Sequence, residues 1–145
     1  MKKVIKENEE KINIDRSGKI ELVLSGSDER DKKRLIVEVS RSDLDIDLTL
    51  FHFNNSSENV DIEITIVVHK EARNCKVDLS MRGIITDERS SITFSPCFEL
   101  ENNTSIITHS TSVGYVHEKW SRYLNSRGLE QDSILELLRQ GLEED

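Results

Sequence analysis

Apolar and polar residues alternate along most of this chain. From Leu44 to Leu50 the order is Leu-Asp-Ile-Asp-Leu-Thr-Leu, with every second side chain apolar. A two-residue period belongs to a β-strand with one face buried and the other solvated. The pattern returns sixteen residues later, from Val60 to Ile66, and there even the polar positions agree: Asp45 with Asp61, Asp47 with Glu63, Thr49 with Thr65. The stretch from Val77 to Met81 repeats it at a similar interval, and weaker echoes follow at Ile92 to Phe94 and Ile106 to His109. Upstream, Ile12 to Ile14, Ile20 to Leu24 and Leu35 to Val39 read as strands as well.

Between these segments lie short polar runs, Ser25-Gly26-Ser27-Asp28 and Asn54-Asn55-Ser56-Ser57 among them. Such residues bond their own backbone or tolerate left-handed conformations, so they mark turns. Residues 10 to 112 are therefore expected to be β-structure. Two architectures answer to that pattern. One is an antiparallel sandwich. The other is a solenoid whose rungs each carry two strands, stacked so that like residues align. The sixteen-residue echo leans toward the solenoid. Past Gly114 the period changes: Trp120, Tyr123 and Leu124 stand at the spacing of one helix face, and Gly128 is placed to end that helix. A second apolar face follows at Ile134, Leu135, Leu138 and Leu142, with Glu130 and Asp132 in its first turn. The expected plan is a β-domain over residues 1–114 and a helical segment over 115–145.

Composition narrows the function. At 145 residues the chain has the length of one domain and can bury a core without disulfides. With 35% hydrophobic and 33% charged residues it suits thin layers rather than a thick globule. A net charge of −8 argues against nucleic acid and against an anionic membrane surface. The one basic cluster, Lys32-Lys33-Arg34, sits beside Asp28, Glu29 and Asp31. The opening MKKVIKENEE has no apolar stretch behind its lysines, so no secretion signal is expected, and no apolar run is longer than that from Ile66 to Val68, which falls far short of a membrane span. Cytoplasmic residence fits best. Cys75 and Cys97 are expected to be small buried hydrophobes. There is no P-loop, no G-x-G-x-x-G and no G-x-S-x-G, so the chain is not expected to be an enzyme.

Four blocks in the last third carry a further signal. They are Pro96-Cys-Phe-Glu99-Leu100, His109-Ser-Thr-Ser-Val113-Gly114, Tyr123-Leu-Asn-Ser126-Arg127-Gly128-Leu129 and Leu137-Leu138-Arg-Gln-Gly141-Leu142. Their order and spacing, over about fifty residues, resemble the SufB/SufD family. That consensus runs P-x-L-E-I, then H-G-A-T-V-G, then F-Y-L-x-S-R-G-I/L, then a helix ending L-L-x-x-G-F. The resemblance implies a right-handed parallel β-helix followed by a C-terminal helical segment. It implies a scaffold on which nascent iron–sulfur clusters are built. The implied partners are a SufC-type ATPase, which docks on the helical segment, and a SufB-type subunit; the implied state is a homodimer or a hetero-oligomer. The implied cargo is iron or a cluster shared with a partner. Four residues after the proline, where SufB-type members carry a functional cysteine, this chain has Leu100, as in the SufD type. Ser110-Thr111 replaces the Gly-Ala of the histidine block, and Arg82-Gly83-Ile84-Ile85 reaches Pro96 one rung early, so the chain looks like a trimmed SufD-like member.

Candidate chemistry rests on few side chains. His109 is expected at the end of a strand beside a turn, where an imidazole can hold iron or move a proton. Glu99 is its expected oxygen-donor partner on a neighbouring strand; the plainer reading is a solvated carboxylate or an ion pair with Arg122 or Arg127. His52 and His69 would form a metal pair only on one solenoid face, and His117 is expected in solvent. Two cysteines cannot hold a cluster alone. The partner-binding candidates are Trp120, Tyr123, Leu124, Arg127, Gly128 and Leu138, the first three doubling as a cover for the end of the β-body. A solenoid interaction protein without iron chemistry is the alternative function. A cupin-type metal enzyme ranks last, because its clustered His-x-His is absent.

Overall fold

The computed structural model describes residues 1–24, 32–54 and 58–116. These contain β1 (Lys2–Ile5), β2 (Glu9–Ile14), β3 (Gly18–Leu24), β4 (Lys32–Val39), β5 (Asp45–Asn54), β6 (Asn59–Val68), β7 (Lys76–Ile85), β8 (Ser91–Leu100) and β9 (Ile106–Tyr115). Successive strands alternate between two sheets. One has the order β1-β3-β5-β7-β9 and the other β2-β4-β6-β8. Every pairing is parallel. The architecture is a two-sheet parallel β-helix, and the antiparallel sandwich is excluded.

A complete rung takes about thirty residues, since Leu48 pairs with Leu79 and Leu79 with His109. The sixteen-residue echo is therefore half a rung. Asp45 pairs with Lys76 on one sheet, whereas Asp61 pairs with Lys32 and Thr93 on the other. The two strands look alike because each presents one face to the same core, not because they are neighbours. β1 lies before the expected start of the β-body. Four residues are too few to show a period, but pairing with β3 makes the segment a strand, and the Met1 amino group donates to the Lys19 carbonyl at 2.9 Å.

The core fills the space between the sheets. Ile20, Leu48 and Leu79 stack in register on one side, Leu35 and Ile64 on the other. All five belong to a single buried cluster. Each such side chain contributes about 1.5–3 kcal/mol when fully withdrawn from water. The alternation also breaks up the basic cluster. Lys33 turns inward and is buried, while Lys32 and Arg34 face out and hold Glu63 at 3.0 and 3.1 Å. The hydrogen bond from Lys32, helped by the charge of Arg34, holds the Glu63 carboxyl below the usual carboxylate range.

The turns stack as the strands do. Asp43 and Asn74 take left-handed backbone conformations at φ 63° and 59°, in successive rungs, and the Asn74 amide donates to the Asp43 carboxylate at 3.4 Å. Asn and Asp tolerate this region better than other non-glycine residues. One rung on, Asn102 ties the turns together. Its Nδ2 donates to the His69 and Ala72 carbonyls at 3.0 and 2.8 Å, and its Oδ1 accepts from the Thr104 and Ser105 amides, both at 3.1 Å. Asn102→Ala removes these four bonds and a fifth, from the Thr104 hydroxyl to Oδ1 at 3.0 Å. It is expected to lower stability by about 2 kcal/mol, read by urea denaturation, because each net bond is worth about 0.5–1.5 kcal/mol and the carbonyls are partly buried.

Candidate functional site

His109 does not end a strand. It lies within β9, which continues to Tyr115. Its register partner is Leu79, a fully buried core residue, so the imidazole faces the space between the sheets. It is nevertheless exposed, because β9 is the last strand of its sheet among the described residues. The ring meets Phe98 of β8 across that space, with centroids 5.1 Å apart and planes tilted by 44°. Phe98 pairs with the buried Ile66 and so also faces inward.

Glu99 follows Phe98 on the strand and therefore points the other way. It pairs with Val67 and is exposed on the outer face of the four-stranded sheet. The structure thus brings His109 to Phe98 and leaves Glu99 on the opposite side of β8. Consecutive strands enter different sheets, so β8 and β9 are not ladder neighbours, as the sequence reading had assumed. Cys97 shares the outward face with Glu99 and is exposed, contrary to the expectation of a buried thiol; it points away from Leu100 as expected. Cys75 is buried as expected, its Sγ 3.0 Å from the Arg41 carbonyl. Among the described residues no group of three or more His, Cys, Asp or Glu side chains is placed to hold a metal ion. An iron or cluster site made by the described residues alone does not fit that arrangement.

The other histidines separate too. His52 is buried on β5, its Nδ1 3.1 Å from the Leu24 carbonyl. Burial pushes its pKa down to about 4, the Leu24 carbonyl opposes the shift, and the charge of Lys33 adds to it. His69 follows β6, on the other sheet, with Nδ1 3.3 Å from Glu101 and Nε2 3.8 Å from Glu38. The two do not form a pair. Sequence spacing alone did not reveal the His69 bridge, because Glu38, on β4, and Glu101, just past β8, come from the strands on either side of β6 in the sheet. A shallow groove of about 250 Å³ lies on the outer face of the five-stranded sheet between Lys19, Asp47, Asp78 and Arg82.

The two ends of the β-helix differ in kind. At the N-terminal end the edge strands are short and charged, Lys-Lys-Val-Ile for β1 and Glu-Glu-Lys-Ile-Asn-Ile for β2. At the C-terminal end β8 and β9 each run ten residues, with Glu99 the only Asp, Glu, Lys or Arg in either. Proteins blunt unwanted edges with short length and charge. Among the described residues only the N-terminal end is so protected. Trp120, Tyr123, Leu124, Arg127, Gly128 and Leu138, with His117, Arg122 and the expected helices, lie outside the described residues.

Among the described residues no helix is long and apolar enough to cross a membrane. The family model of the SufBD core domain, from the SUF system of FeS cluster assembly, matches residues 33–142. No curated protein matches the chain. The family match reaches back across four strands that resembled it only in their alternation.

Proposed function

The chain belongs to the SufBD core-domain family, and from that premise we propose that it is a SufD-like scaffold or adaptor in iron–sulfur cluster assembly, acting in a complex rather than as an enzyme. The observation that carries this reading is the asymmetry of the β-helix. Two long, nearly uncharged edges at one end suit strand pairing with a second copy or with a SufB-type subunit. The segment that follows β9, with Trp120, Tyr123, Leu124, Arg127, Gly128 and Leu138, is the surface offered to a SufC-type ATPase. Cytoplasmic residence follows from the same reading.

Iron is cargo in this scheme, and His109 is the residue placed to meet it. Its exposed imidazole sits at the pairing end, so any further ligands come from the partner. Affinity capture of the tagged chain from its source lysate tests the proposal. A SufC-type ATPase should co-purify, with iron in the eluate, and His109→Ala should lower the iron at least severalfold without changing the circular dichroism. The separation of Glu99 from His109 favours a second reading, an interaction protein that no longer handles iron. Capture of partners with no iron, or iron unchanged in His109→Ala, selects it.

A further inference from the structure

The two strands at the C-terminal end are not equally open. Along a strand, the backbone groups of successive residues point alternately to the neighbours on either side. Bonds at the strand ends fix which residues point where. The Glu101 amide donates to the Val68 carbonyl, so the odd-numbered residues of β8 bond β6 and the even-numbered ones face away from it. Pro96 falls among the even-numbered residues, in the middle of that edge, and has no N–H to offer. On β9 the Ile106 and Val116 amides donate to the Cys75 and Ile85 carbonyls, so there the even-numbered residues bond β7. Ile107, His109, Thr111 and Val113 face the other way, and each keeps its amide. Among the described residues β8 is therefore an interrupted edge and β9 a continuous one.

We infer that β9, and not β8, is the strand through which two copies of this chain pair, antiparallel, with Thr111 opposite its counterpart on a two-fold axis. The inference rests on the strand pairing proposed above and adds the edge, the partner and the register. β9 is complementary to its own reversed copy. It contains no Asp, Glu, Lys or Arg, so the pairing brings no like charges together. Centring on Thr111 sets Ile107 against Tyr115 and His109 against Val113, a ring against a β-branched side chain in each case, and threonine against threonine on the axis. Such cross-strand pairs stabilise an antiparallel ladder. Val113 and Tyr115 are 43% and 46% exposed, so both have apolar surface still to bury. A two-fold uses the same patch on both copies and closes the assembly at two. On β8 the same arrangement leaves the carbonyl facing Pro96 without a donor, which costs more than a bond never offered.

Sedimentation equilibrium of the full-length chain tests this with paired substitutions. Thr111→Pro deletes an amide that faces away from β7, so the ladder within the chain stays whole. It should raise the dimer dissociation constant by about tenfold or more, since both copies lose a bond at the axis. Leu100→Pro deletes an outward-facing amide from β8 in the same way and should change the constant by less than about twofold, the size of an exposed, non-pairing substitution. Thr111→Lys leaves the backbone untouched and sets two like charges face to face, so it should weaken the dimer as well and carries the test if the proline variant loses its β-sheet circular dichroism. The inference is overturned if Leu100→Pro weakens the dimer as much as the Thr111 variants do, or if folded Thr111→Lys dimerises like the parent. A parent chain that stays monomeric overturns it too, while iron and an ATPase captured from lysate would still stand for the scaffold function. A dimer with the expected ranking but no such capture keeps the β9 pairing and removes that function instead.

Discussion

Lowering the pH from 7 to 4 is expected to cost the fold about 3 kcal/mol through His52 alone. Burial holds this imidazole near a pKa of about 4, against 6.5 for the free group. For a base whose folded pKa is depressed, the unfolded chain takes up the proton first. Its neutral form therefore gives full stability above pH 6.5, and that stability is lost progressively as pH falls toward 4. The shift from 6.5 to about 4, at about 1.4 kcal/mol per pH unit, gives the size. Asp87, held low mainly by its hydrogen bonds from Arg89, and Glu63, held low by Lys32, act in the same direction but only below the ordinary carboxylate range. The window between pH 6.5 and 4.5 thus isolates the histidine. Urea denaturation across it should show a falling midpoint for the parent chain and a nearly flat one for His52→Asn, whose amide can still reach the Leu24 carbonyl. An equal slope in both would remove His52 from the acid response.

The second large effect is in the middle of the core. Leu48 is fully buried, between Ile20 and Leu79 in the five-stranded sheet. Leu48→Ala should destabilise by about 2–5 kcal/mol, the range for a leucine whose surroundings collapse only partly. Ile107→Ala removes a comparable side chain from the last described strand, where the residue is only partly buried. Its cost should be less than half as large. Paired denaturation curves check the contrast. Equal losses would mean that the C-terminal end is as well packed as the middle.

The strands were legible in the sequence because a half-buried strand needs alternation, and Leu44–Leu50 and Val60–Ile66 supply it without interruption. Which sheet each strand enters was not legible. Alternation fixes the face of a side chain, not its neighbour, and Asp45 and Asp61 match in sequence while lying on opposite sheets. The same gap misplaced the candidate site. His109 and Glu99 lie on consecutive strands, and in a hairpin that means contact. In a two-sheet β-helix it puts the core between the strands, so His109 meets Phe98 and Glu99 faces away. The basic run Lys32-Lys33-Arg34 was read as a cluster for a related reason: three adjacent residues on a strand cannot share a face. What the sequence carried well was ancestry. Four short blocks identified a family whose model extends over residues 33–142.

The central claim is that the C-terminal end of the β-helix is the working surface and the N-terminal end is not. Hydrogen–deuterium exchange of the chain, alone and with purified SufB-type and SufC-type subunits added, tests it most directly. The account predicts slowed exchange of amides in β8 and β9 on complex formation, with β1 and β2 unchanged. Protection confined to β1 and β2, or no protection of any strand, would contradict it.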